Sequence, residues 1–388
     1  MLWYFEAGKR FFGGLNSMNK LEVSEIKKIF DHGNGYFTLN KLCVAIISET
    51  EIKHSFTKSG ALLEAREVDM YYKILKAVIN KKVGRNLIQY DFPKEAYGLG
   101  HAQNVLYNVN SSKFNTDVDT EAFLDMIVNN YTVEAPYAVV SAQCTYNVRR
   151  KGEVLDDADN EYNFLVTAIC PVVQVDSGFS YNNSTGEFST EGDPKLYIQQ
   201  KPTDGFIFPT FDNREPNINS VMYYCKKSSE ADVAIVEDVL ECTFKCSADQ
   251  EKDYFNYILQ STFGDKVNYQ FMYALNEKLT EIAENHKGDT RLYTVDEDKL
   301  SDILSGLGAD EAEISTFGTV YQKIYGDNIF TLNNLIESNI KLKTSEYTIS
   351  FSKAVGDLVS TTVIDGARAI RLKTTDSKME VNEAEVNI

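Results

Sequence analysis

"PYAVVSAQCTYNV", residues 136–148, decides the fold class. Ala138, Val140, Ala142, Cys144, Tyr146 and Val148 alternate with mostly polar neighbours, the period of two expected of a half-buried strand. Downstream, "EYNFLVTAICPVVQV" (161–175) is a more fully apolar strand, and "LYIQQK" (196–201) and "GFIFPTF" (205–211) supply further short ones. Upstream, "YFTLNKLCVAIISETEIKHSF" (36–56) reads as one or two strands rich in β-branched residues. Together they predict one mostly antiparallel central sheet. The stretch "SGFSYNNSTGEFSTEGDP" (177–194) has hairpin and loop composition.

Helices gather on either side of this strand-rich centre. "LEVSEIKKIF" (21–30) and the spacing of Val68, Tyr72, Leu75, Val78 and Ile79 predict two before the sheet, and "DTEAFLDMIVNNY" (119–131) predicts a third. After residue 229 the pattern becomes helical. "ADVAIVEDVLECTF" (231–244) reads as a helix, the next opens with Ser247 and Gln250 at capping-box spacing, and another carries Phe271, Leu275, Leu279 and Ile282 on one stripe. Two shorter helices are expected near 296–306 and 310–325. Asp365-Gly366, between "LVSTTVI" and "ARAIRLK", is the strongest local hairpin signal, because a type I′ turn needs two residues at positive φ. Strands and helices are segregated, so the class is α+β. The expected order is an N-terminal α+β region (18–110), a central antiparallel β region (111–229), a helical region (230–338) and a C-terminal β region (339–388).

Residues 1–17 are expected to be a mistranslated leader. Gly13-Gly14 can be encoded as a ribosome-binding sequence at a suitable distance before Met18, and no small-residue cleavage site closes the segment as a signal peptide requires.

The formal net charge is −18. It is unevenly placed: residues 18–100 carry 13 Lys/Arg against 10 Asp/Glu, and residues 101–350 carry 19 against 40. An acidic body disfavours direct binding of nucleic acid or anionic membrane. No apolar run approaches the length of a membrane-spanning helix. The six cysteines (Cys43, Cys144, Cys170, Cys225, Cys242 and Cys246) form no CxxC pair and no zinc spacing with histidine, as expected of reduced thiols in a cytoplasm.

Candidate chemistry is sparse. Asp156, Asp157, Asp159 and Glu161 lie within six residues and offer oxygen ligands for a hard cation. A calcium loop counted from Asp157 nevertheless lacks its glycine at Tyr162 and its glutamate at Ala168. "GLGHAQ" (98–103) and "GLGADE" (306–311) lack the third glycine of a dinucleotide loop, and no cofactor is predicted. The histidines fit no HExxH or GxSxG pattern, and pairing Cys170 with His101 conflicts with the buried-strand character of "TAICPV". The best site candidate is "DGFIFPTFDNRE" (204–215), an aromatic run delivering Asp212, Arg214 and Glu215 at its end. Either acid could serve as a general base and Arg214 could hold an anion; equally, the same residues form a turn that closes a strand.

"MNKLEVSEIKKIF", "DDADNEYNFLVTAICPV", "DGFIFPTFDNRE", "NSVMYY" and "VIDGARAIRLK" together resemble an uncharacterised Firmicutes family, the domain of unknown function four-three-one-seven, from Met18 almost to the C-terminus. The resemblance implies no activity, cofactor or site residues. Its members tend to place Asn before Asp where this chain has Asp212 before Asn213, and moving an acid by one residue in an extended segment turns it to the opposite face. That favours a turn over a catalytic carboxylate. The leading expectation is a non-enzymatic, protein-binding adaptor that recognises its partner through an acidic helical half or a sheet edge. A hydrolase using the acids of 156–161 with Asp212, Arg214 and Glu215 is the alternative, and an acidic nucleic-acid mimic is third.

Overall fold

The computed structural model describes residues 18–148, 160–175, 179–182, 184–190, 195–364, 367–374, 376–381 and 384–387. The acids Asp156, Asp157 and Asp159 and the Asp365-Gly366 turn lie outside them. The chain divides into two units at Gln250/Glu251, with Thr290–Leu292 belonging to the first.

The first unit opens with helix α1 (Lys20–Ile29). Asn19 caps it, accepting from the Leu21 and Glu22 amides while Glu22 returns a bond to the Asn19 amide, which is a capping box. Strands β1 (Phe37–Ser48) and β2 (Glu51–Ser59) form a hairpin closed by Glu49 and Thr50, both at positive φ. Helix α2 (Ala65–Ile79), β3 (Leu87–Asp91), α3 (Ala102–Ser112) and α4 (Asp117–Asn130) follow. Then come β4 (Tyr137–Val148) and β5 (Asn160–Val175), the hairpin β6 (Phe179–Asn182) with β7 (Glu187–Thr190), and β8 (Lys195–Ile198), which pairs with the end of β5. Strand β9 (Asp204–Phe208), the small hairpin β10 (Thr210–Asp212) with β11 (Glu215–Asn217), and β12 (Ser220–Cys225) complete the unit's strands.

Among the described residues the large sheet has eight strands, in the order β2-β1-β4-β5-β9-β12-β3 with β8 beside β5. All its pairings are antiparallel. Helices α1 and α2 cover one face, where Val44, Val140, Ala142, Phe164, Val166, Met222 and Tyr224 meet Ile26, Leu75 and Val78. Helices α3 and α4 cover the other, where Ala45, Val139, Leu165, Phe206 and Tyr223 meet Val105, Leu106, Phe123 and Ile127.

Strand β4 is therefore buried on both faces, not half-buried. Its polar residues are satisfied instead of solvated: Ser141 Oγ lies 2.8 Å from Thr167 Oγ1, and Gln143 accepts from Asn40 Nδ2 at 2.7 Å while donating to Asn110 Oδ1 at 3.3 Å. Such pairing removes most of the cost of burying them.

A second difference falls at 231–244. Only residues 233–239 turn helically, ending in a wide turn in which the Leu240 amide donates to Ile235 O at 3.0 Å. Ile235, Val236, Val239 and Leu240 are all buried there. Tertiary contact, more than helical propensity, holds the segment.

The second unit carries α5 (Ala248–Phe263), α6 (Tyr269–Asn285), the short pair β13 (Thr294–Val295) with β14 (Phe330–Thr331), α7 (Glu297–Gly306), α8 (Glu311–Ile324) and the single turn α9 (Leu332–Leu335). Ser247 and Gln250 form the expected capping box on α5. Three successive hairpins follow: β15 (Asn339–Lys343) with β16 (Thr348–Ser352), β17 (Val359–Ile364) with β18 (Ala367–Leu372), and β19 (Lys378–Val381) with β20 (Ala384–Asn387). No described helix is long and apolar enough to cross a membrane.

Candidate functional site

The "DNRE" residues form the tight turn after β10. Asp212 pairs with Glu215 across a two-residue connection whose central residues, Asn213 and Arg214, have φ of 53° and 61°, the signs of a type I′ turn. Asparagine tolerates that region, whereas an arginine there is strained. The compensation comes from α1. Glu22 Oε1 accepts from the Arg214 amide at 3.3 Å, and the Asn213 amide also bonds this carboxylate. One helical turn on, Glu25 Oε1 accepts from Arg214 Nη2 at 2.8 Å and from the Tyr146 hydroxyl at 2.6 Å. Glu22 and Glu25 are three residues apart, hence on the same face of α1. The pair grips the turn through its backbone and through its side chain.

Asp212 is 6% exposed. Its Oδ2 accepts from Asn217 Nδ2 at 2.6 Å and Gln89 Nε2 at 3.3 Å, and the Thr210 side chain also bonds the carboxylate. Burial pushes its carboxyl above the ordinary range, against the pull of those hydrogen bonds. Glu22 is likewise raised by burial, and the Asp212 charge adds to the effect. Glu215 is exposed. Glu161 is exposed on β5 beside Asn163, whose Nδ2 lies 3.4 Å from Glu161 Oε2. Asp212 and Arg214 are thus brought to one polar cluster with Glu22, Glu25, Tyr146 and Gln89. Among the described residues no three His, Cys, Asp or Glu side chains are grouped to hold a metal ion.

Cys170 and His101 are not brought together. Cys170 is buried on the α1/α2 face, its thiol pushed up to about 12 by desolvation. His101 precedes α3, which packs on the opposite face, and its Nδ1 lies 3.1 Å from Glu241.

The match to a family model covers residues 18–383. The chain belongs to the family described as Domain of unknown function (DUF4317). No curated protein and no solved structure matches it.

In this DUF4317 chain the two edges of the large sheet differ, which no strand pattern in the sequence distinguishes. At the β3 edge the Leu87 amide donates to Lys82 O at 3.1 Å, Leu87 O accepts from the Gly84 amide at 2.7 Å, and Gln89 O accepts from Lys245 Nζ at 2.8 Å. Those bonds occupy the edge at Leu87 and Gln89. Strand β2 is nine residues long and pairs only with β1. Among the described residues no other backbone hydrogen bond reaches it. Glu51 and residues 53–57 are exposed. A bulge at Lys53, skipped between the Ile46–His54 and Ile47–Ile52 pairs, limits the regular ladder to its second half. The signals that could have marked the edge are Lys53 and Lys58, since lysines commonly guard exposed edges.

Proposed function

We propose that this protein is a non-enzymatic, protein-binding adaptor whose β2 edge accepts an added strand from a partner chain. The observation that supports the reading is the asymmetry of the sheet: at the β3 edge Leu87 and Gln89 are bonded by Lys82, Gly84 and Lys245, whereas among the described residues no backbone group outside β1 bonds to β2. In strand addition the main chain supplies affinity and alternate side chains supply specificity. Here the alternating row toward α2 is His54, Phe56 and Lys58, opposite Ile46, Val44 and Leu42 of β1.

The test uses adjacent proline substitutions, Phe56→Pro and Thr57→Pro. Successive amides on a strand point to opposite sides, so one variant loses a bond to β1 and the other loses only an outward donor. The variant that stays folded by circular dichroism is expected to lose proteins captured by the wild type from host lysate. Capture of the same proteins in the same amounts by that variant would refute the edge reading.

A second reading, a hydrolase, draws on one observation: the buried Asp212 carboxyl lies near a second acid, Glu22, and burial raises both. Such an acid is available for proton transfer. Turnover in a broad ester, amide and phosphate screen, abolished in Asp212→Asn, supports it; turnover that survives Asp212→Asn sinks it.

A further inference from the structure

We infer that the strand added to β2 is β2 of a second copy of this chain, paired antiparallel about a two-fold axis at Thr57. This rests on the strand-addition reading and names its occupant.

A two-fold axis normal to the sheet keeps each side chain on its own face, so each residue must meet one an even number of positions away. Four centres fall within the regular half of β2. Centred on Ser55, the bulged Lys53 falls opposite Thr57 and breaks the ladder. Centred on Phe56, the outermost pairs, His54 with Lys58, abut the bulged Lys53 at both ends, and centred on Lys58, two lysines face each other, an unfavourable like-charge pair.

Centring on Thr57 avoids all three conflicts. Thr57 meets Thr57, Ser55 meets Ser59 twice, and Phe56 meets Lys58 twice. Threonine and serine pairs are favourable cross-strand partners, and a lysine beside an aromatic ring is attractive. The Lys58 charge is already met by Glu67 at 2.6 Å, so its aliphatic stem is available to lie on the facing Phe56. Phe56 is 37% exposed, leaving part of its ring to be covered. Each residue contributed by one copy is answered by the other, and two eight-stranded sheets become one continuous sheet.

The test is sedimentation of the full chain over a concentration series, with three variants. Wild type is expected to dimerise. Thr57→Lys places two like charges at the axis, on an exposed side chain, and is expected to weaken the dimer by about tenfold or more. Thr57→Cys is expected to form a disulfide-linked dimer under mild oxidation, because directly opposed residues lie within bridging distance. Ser55→Cys, which faces Ser59 in this register, is expected not to cross-link to itself. The cross-link has little native competition, since Cys43, Cys144, Cys170, Cys225 and Cys242 are buried and only Cys246 is partly accessible. A wild type that stays monomeric, a Thr57→Lys variant that dimerises as well as wild type, or preferential cross-linking at residue 55 overturns the inference. If wild type is monomeric but the folded proline variant still loses a captured partner, only the occupant was wrong; if both tests fail, the edge reading falls with it.

Discussion

Replacing Glu251 by glutamine is expected to remove a pH dependence of stability that one buried carboxyl creates. Glu251 sits in the first turn of α5 and is 9% exposed. Its Oε2 accepts from Asn334 Nδ2 at 2.9 Å and from the Thr331 amide at 3.2 Å, tying α5 to the start of α9. Desolvation outweighs these bonds and moves the carboxyl from 4.5 to about 7. In the unfolded chain the proton leaves near the ordinary value, whereas in the folded chain it stays until about 7.

Between those limits the unfolded state binds fewer protons, so stability falls as pH rises and levels off above the folded value. At about 1.4 kcal/mol per pH unit the total loss is on the order of 3 kcal/mol. The assay is urea unfolding at steps from pH 4 to 8, read by hydrogen exchange in the α5 segment because the chain has more than one unit. Subtracting the Glu251→Gln curve from wild type cancels other titrating groups, including the buried Asp204, whose carboxyl is raised to about 6. A difference that declines through this window supports the reasoning. A flat difference, or one that rises with pH, refutes it.

Other expectations follow from the same packing. Arg214→Gly relieves the left-handed backbone while losing a half-exposed ion pair, so it is expected to change stability by less than about 1 kcal/mol, whereas Arg214→Val, β-branched at positive φ, is expected to cost about 2 kcal/mol or more by urea titration. Glu25→Ala is expected to destabilise Arg214→Ala less than it does wild type, and a double-mutant cycle showing no coupling would break the proposed grip on α1. Gly205→Ala would place a Cβ 2.4 Å from Thr167 O and 3.1 Å from Val78; a loss of about 3 kcal/mol is expected, and a thermal midpoint equal to wild type would contradict the packing.

The fold class and most elements were legible because their signals are local. The period of two across 136–148 marks β4 whichever faces are covered, and Asn19 with Glu22 or Ser247 with Gln250 specify a cap by side chains three residues apart. The burial of β4 was not legible. Ser141, Gln143 and Thr145 are polar in composition, but in space they find Thr167, Asn110 and Asn163, and pairing makes buried polar groups acceptable. The segment 231–244 misled for the opposite reason: its apolar spacing satisfies a helix, yet contact with α4 and the sheet face sets its path.

By itself the sequence offered a turn at Asp212-Asn213-Arg214-Glu215, since Asn and Asp favour turns, beside a reactive reading of the same residues. It also determined the acidic balance and the absence of a long apolar run. Only the tertiary structure decided what the turn does, because its partners, Glu22 and Glu25, lie some 190 positions away in sequence. Only the tertiary structure, too, decided which edge of the sheet is open, because edge status depends on strand order. Hydrogen bonds between distant segments fix that order, and the alternation within a single strand carries no trace of its neighbours.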